Sequence, residues 1–209
     1  MIQYRVPAGY GEAELIEKRS RFLSRVWSVE AEEEAVAKIK EMREKYWDAS
    51  HNVYSYIIRE GNIMRYSDDG EPQGTSGIPT LSVFRNEEIF NFCCVTTRYF
   101  GGTLLGAGGL VRAYSAVAKM ALDAAGISVM ASWSDFVLSC SYSQYERIRK
   151  ELTAVGAAIE DTDFGADILI TATVPEDKAA LLAANITEIT AGSAVMEITG
   201  SQFKAVKVK

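Results

Sequence analysis

Three carboxylates stand within four positions of YSDDGEPQGTSG (residues 66–77): Asp68, Asp69 and Glu71. The Asp69-Gly70 pair and Pro72 mark a turn. A turn can gather on one side the side chains that a strand would send to opposite faces. Three chemistries suit such a group. A magnesium site takes one or two carboxylates and is completed by substrate phosphates. An acid–base pair needs two carboxylates in unlike environments. A structural group caps turns and helix ends and pairs with arginines, here Arg98 or Arg112.

The second chemistry-bearing stretch is RYFGGTLLGAGGLVRAYS (residues 98–115), with Gly101, Gly102, Gly106, Gly108 and Gly109 between a strand pattern and a helix pattern. The first N–H groups of a helix lack internal partners and carry partial positive charge, so such a loop suits a phosphate or carboxylate. Arg98 before the loop and Arg112 one turn into the helix add charged donors. No G-K-[ST] follows, and G-x-G-x-x-G is not matched, so neither standard nucleotide loop is present. The plain alternative is a tight turn whose glycines only let strand and helix pack.

Other candidates are isolated. His51 is the sole histidine, which excludes a multi-histidine metal site within one chain; it reads as a hydrogen-bonded structural residue or as a catalytic one. Cys93 and Cys94 fall in an apolar strand, where burial raises thiol pKa and lowers reactivity. With Cys140 they form no C-x-x-C pair, so neither zinc nor a disulfide framework is expected, and a reducing cytoplasm is the simplest compartment. Arg19 and Arg21 in KRSRF guard a strand edge or contact nucleic acid or protein. No metal or cofactor is expected.

The elements that position these residues are readable from their periods. ELIEKRSRFLSRVWSV (14–29) reads as a strand with polar interruptions. EAEEEAVAKIKEMREKYW is an amphipathic helix with its acidic cluster in the first turns. HNVYSYIIRE and IMRYSDD flank Gly61-Asn62 as a hairpin. SGIPTLSVFRN is a short helix with Pro79 in its first turn. EIFNFCCVTTRYF is a strand, and LVRAYSAVAKMALDAAG a helix ending at Gly126. From Trp133 onward, DFVLSCSY, SQYERIRKELTAVGA, AIEDTDF, ADILITATV, PEDKAALLAANITEI and GSAVMEITGSQF read β-α-β-β-α-β, the ferredoxin-like arrangement. The basic tail KAVKVK is expected to fray.

The 209 residues carry 48% hydrophobic and 24% charged side chains and a net charge of −6, ordinary for one large or two small globular domains. A surplus of acid argues against indiscriminate binding to a phosphate backbone, which leaves only local basic contacts. MIQYRVPAGYGEAEL has no basic-apolar-small pattern, so no signal peptide is expected, and no apolar run reaches membrane length.

EKRSRF (17–22), HN (51–52), SDDGEPQGTSG (67–77), RYFGG (98–102) and LGAGGLVRAYS (105–115) together resemble the YigZ/IMPACT family, in order and spacing, over nearly the whole chain. Ser76 stands where the family often has alanine. The resemblance implies an α+β protein of two domains. Residues 1–131 would be an IMPACT-type α/β domain similar to domain IV of elongation factor G and to a domain of a small-subunit ribosomal protein. Residues 132–209 would be a ferredoxin-like domain similar to domain V. It implies a cytoplasmic regulatory or binding protein acting in translation, with RNA, the ribosome or a translation-associated protein as partner and no membrane. Eukaryotic relatives compete for the activator of an amino-acid-starvation kinase. The shared surface would comprise Asp68, Asp69, Glu71, Arg98, Tyr99, the loop glycines and Arg112, with Arg19, Arg21 and His51 secondary. No catalytic residue transfers, so a non-enzyme is expected. The alternative is an enzyme for a phosphorylated small molecule or nucleotide, with the glycine loop as phosphate seat. Either way, the three carboxylates are expected beside the glycine loop, facing Arg98 or Arg112.

Overall fold

The computed structural model describes residues 3–207, which divide into two compact units, one of residues 4–129 with 206–207 and one of residues 130–205 with residue 3. The first unit contains β1 (Tyr4–Pro7), β2 (Gly11–Glu17), β3 (Ser20–Ser28), α1 (Glu32–Lys45), β4 (His51–Ile58), β5 (Ile63–Ser67), α2 (Gly77–Asn86), β6 (Phe92–Tyr99), α3 (Ala107–Ala125) and the opening of β7 (Ile127–Cys140). Its main sheet has the order β2-β3-β6-β4-β5, with antiparallel neighbours throughout.

Central β6 is buried along nearly its whole length, Thr96, Thr97 and Arg98 included, because both faces of the sheet are covered. Ala35, Ile39 and Met42 of α1 meet Tyr56, Ile58, Cys93 and Val95 on one face. On the other, Leu81 and Phe84 of α2 and Ala118 and Leu122 of α3 meet Val26, Ile57 and Cys94. The adjacent cysteines therefore point into different cores, as strand alternation requires. Burial pushes the Cys94 thiol up to about 12 and the Cys93 thiol higher still.

The stretch 14–29 is not one strand but a hairpin. Glu17 lies opposite Ser20, and Lys18 (φ 46°) and Arg19 (φ 67°) form the two-residue turn. Both turn residues have positive φ, which is the geometry that matches the twist of hairpin strands. The usual Asn-Gly is missing, so the polar run reads as an interruption rather than a turn.

Register fixes what gathers at one end of this sheet. Arg21 lies opposite Tyr99, and His51 opposite Arg98. The β2–β3 turn, the start of β4, the end of β6 and the glycine loop therefore share that end. The acidic stretch joins them after Ser67, which lies opposite Tyr54.

The second unit continues β7 and adds α4 (Tyr142–Ala154), β8 (Ala158–Phe164), β9 (Ile168–Pro175), α5 (Glu176–Ile189) and β10 (Met196–Lys207). β10 and β9 flank β7, and β8 pairs with β9. With helices between the strand pairs this is the ferredoxin-like order, and the chain as a whole is α+β. Phe136, Leu138, Ile148, Leu152, Ile170 and Leu182 form its core. β7 begins at Ile127 rather than at Asp135. The tail expected to fray is strand as far as Lys207, and Lys204 Nζ donates to Glu160 Oε1 (3.0 Å) and Thr173 Oγ1 (2.7 Å). The last two residues of that tail, Val208 and Lys209, lie outside the described residues.

Candidate functional site

The three carboxylates take three different partners. Asp68 folds back onto the amino end of α2. Its Oδ1 accepts from Ser76 N (3.1 Å), Ser76 Oγ (2.7 Å) and Gly77 N (2.8 Å), and its Oδ2 from Gly74 N (2.8 Å). Ser76 holds the N-cap position but makes no cap bond with its side chain, so Asp68 does that work from a distance. Burial alone would raise the Asp68 pKa, but these hydrogen bonds outweigh it and hold the carboxyl below its ordinary value.

Asp69 sits at φ 45°, a left-handed conformation that Asp tolerates in turns. Its Oδ1 accepts from Arg43 Nη2 (2.7 Å), and its Oδ2 from Asn52 N (2.7 Å). Neither Asp68 nor Asp69 faces Arg98 or Arg112. Their oxygens are engaged by backbone amides and by an arginine of α1, the structural arrangement among the three considered. Among the described residues, no group of three or more His, Cys, Asp or Glu is disposed to hold a metal ion.

Glu71 does face Arg98. Arg98 Nη1 donates to Glu71 Oε1 (2.6 Å) and Oε2 (2.9 Å), and Tyr114 Oη donates to Oε1 (2.8 Å). Arg98 Nη2 reaches Ser20 Oγ at 3.2 Å. The pair is buried, with Arg98 only 4% exposed. Arg98 is therefore the buried counter-charge of Glu71, with both terminal nitrogens engaged inside the protein. Burial first, and the neighbouring Glu71 second, drive the Tyr114 pKa far up, so its phenol stays a neutral donor.

His51 completes the group. Its Nδ1 lies 2.8 Å from the Asp69 carbonyl oxygen, which only accepts, so Nδ1 carries the proton. Nε2 is thereby turned toward Glu71 Oε2, 3.8 Å away.

Beside these residues the glycine loop opens into a cleft of about 350 Å³ whose walls include His51, Glu71, Arg98, Phe100, Leu104 and Ala107. A Cβ on Gly101 would collide with the backbone carbonyl of Arg19, so only glycine lets the loop meet the β2–β3 turn. Gly106, at φ 73°, is the N-cap of α3 and offers no side chain to its first amides. Gly102, Gly106 and Gly108 are exposed, and Gly109 half-buried.

Residues 18–122 match the Impact N-terminal domain, half of the chain, and residues 138–193 match a domain of unknown function, DUF1949. The chain belongs to the IMPACT family. IMPACT family member YvyE of Bacillus subtilis is 33% identical over 183 residues, covering 87% of this chain and 84% of the relative. IMPACT family member YigZ of Escherichia coli is 30% identical over 179 residues, covering 84% and 88%. A crystal structure described as that of an hypothetical protein is similar with a TM-score of 0.60 at 28% identity, covering 95% of this chain and 98% of its own.

Within this IMPACT fold the remaining sequence-derived residues are scattered in role. Arg21 is held by Glu14 in two hydrogen bonds, 2.7 and 3.0 Å, which offsets its charge. Tyr99 Oη donates to Asp48 Oδ1 (2.9 Å). Arg112 is exposed and lines a shallow groove with Val83, Asn86 and Glu87, away from the three carboxylates. Arg19 is exposed at the hairpin tip. Sequence reasoning missed Lys18, Trp47, Phe100, Leu104 and Tyr114. Tyr114 had a signal: it falls on the buried stripe of α3 with Leu110, Ala113 and Val117, and a buried tyrosine hydroxyl needs a partner.

Proposed function

We propose that this IMPACT family protein is a cytoplasmic regulatory binding protein of translation that contacts single-stranded RNA, free or ribosomal, through this end of the first unit's sheet. One observation carries the reading: cations and exposed aromatics share the end. Lys18 and Arg19 are exposed at the hairpin tip, and among the described residues neither has a carboxylate partner. Trp47 is 82% exposed in the loop before β4, Phe100 48% and Leu104 81%. Trp47 adjoins Asp48, which binds Tyr99, and the Phe100 amide donates to Ser50 Oγ (3.2 Å), which ties these loops to one another. Aromatic faces take unstacked bases and the cations take phosphates, the combination that binds single strands. Because the chain is net acidic, the contact is local and salt-dependent.

Fluorescence anisotropy with a labelled single-stranded RNA tests this. Binding should appear at low salt and weaken as salt rises. Trp47→Ala should weaken it about 5- to 150-fold, the range for loss of one stacked base. Affinity unchanged by both Trp47→Ala and Arg19→Glu would rule this surface out as the RNA contact.

A further inference from the structure

We infer that the cleft at the amino end of α3 is a seat for a phosphate monoester: the terminal phosphate of an RNA strand or of a free nucleotide. For the RNA source, this rests on the reading above.

The 19 residues of α3 sum their peptide dipoles toward a loop that leaves Ala107, Gly108 and Gly109 N–H groups without a side-chain cap. A Cβ at Gly106 would meet nothing within 4 Å, so an anion can approach the backbone there. A second, independent observation points the same way. Arg98 is more than nine-tenths buried and forms part of the cleft wall, and among the described residues its Nε has no hydrogen-bond partner. Buried donors without acceptors are rare, and each marks an acceptor still to be supplied or strain retained for a purpose.

His51 adds the third contact. With Nδ1 held by the Asp69 carbonyl, Nε2 is the ring atom beside the cleft, beyond hydrogen-bond distance of Glu71 Oε2 at 3.8 Å. One proton between Nε2 and a phosphate oxygen, brought by either partner, makes a hydrogen bond. Phe100 and Leu104 supply apolar walls for a sugar or base. A volume of about 350 Å³ suits one nucleotide and not several, which favours a chain end over a passing backbone. The Lys18–Arg19 turn, which touches the loop at Gly101, would meet the phosphates that follow.

The full-length chain is titrated with a 5′-phosphorylated RNA oligonucleotide and its 5′-hydroxyl twin, and its melting temperature is measured with inorganic phosphate and with adenosine monophosphate. The phosphorylated strand should bind about tenfold more tightly than its twin. Gly108→Asp should erase that preference. Its carboxylate would occupy the positive end of the helix, which it suits, so the melting temperature should hold or rise. The new Cβ meets only Arg112 Nη1, at 3.5 Å. Binding of the hydroxyl twin reports on the RNA reading alone. If neither strand binds but phosphate or the mononucleotide raises the melting temperature, and Gly108→Asp abolishes the rise, the seat stands with a free phosphorylated molecule as its source. Equal affinity for the two strands, or no strand binding, together with no shift from either small molecule, overturns the seat.

Discussion

Glu71 and Arg98 tie the acidic stretch to the end of β6. A buried ion pair contributes little net stability when intact, but removing one partner strands the other charge. Glu71→Ala should therefore cost about 3–5 kcal/mol in denaturant unfolding. A loss under about 1 kcal/mol would mean that Arg98 swings to water. Asp68 gives a pH signature. Its pKa is lowered in the folded chain by its hydrogen bonds, so the stabilisation is complete above the ordinary carboxyl range and declines as pH falls through the folded value. Asp68→Asn should flatten the acid limb of stability against pH, as measured by thermal melts in a pH series. The Glu71–Arg98 pairing was legible, because a carboxylate in a Gly-rich turn and an arginine at a strand end suggested one another. The partners of Asp68 and Asp69 were not. Asp68 takes backbone amides of the next helix, and Asp69 takes Arg43 from α1. Only the fold decides those distances.

At the scale of elements, the hairpin between β2 and β3 separates stability from binding. Lys18 and Arg19 both hold positive φ, which ordinary side chains adopt at a cost. The double change Lys18→Asn, Arg19→Gly supplies the favoured turn pair and should stabilise by about 0.5–1 kcal/mol, read as a higher melting temperature. The same change should weaken RNA binding. Reading the sequence here failed for a definite reason: Lys-Arg is not a turn signal, and the polar run looked like the middle of an edge strand. α3 was readable to its last residue because its apolar period is regular and Gly126, at φ 72°, closes it. The early start of β7 was hidden by Ser, Met and Trp between Ile127 and Asp135, which blur the alternation.

For the whole molecule, each unit has its own core, and the family pattern announced both. We propose the boundary at residues 131 and 132. Residues 1–131 expressed alone should unfold cooperatively and keep the RNA affinity of the full chain. A non-cooperative melt would show that the fragment needs residues beyond 131. The charge balance was readable from composition and directed attention to local cations. Which cations stand free was not, because pairing depends on tertiary neighbours: Arg21 is matched by Glu14 and Arg98 by Glu71, while Lys18 and Arg19 remain exposed.

The most direct test of the sheet end as an RNA surface is the slope of log affinity against log salt, measured for the native chain and for the Lys18→Asn, Arg19→Gly variant. Two phosphate contacts at roughly 0.7 each should make the variant's slope shallower by about 1.4. An equal slope in the two proteins would contradict the claim that this turn meets the nucleic acid.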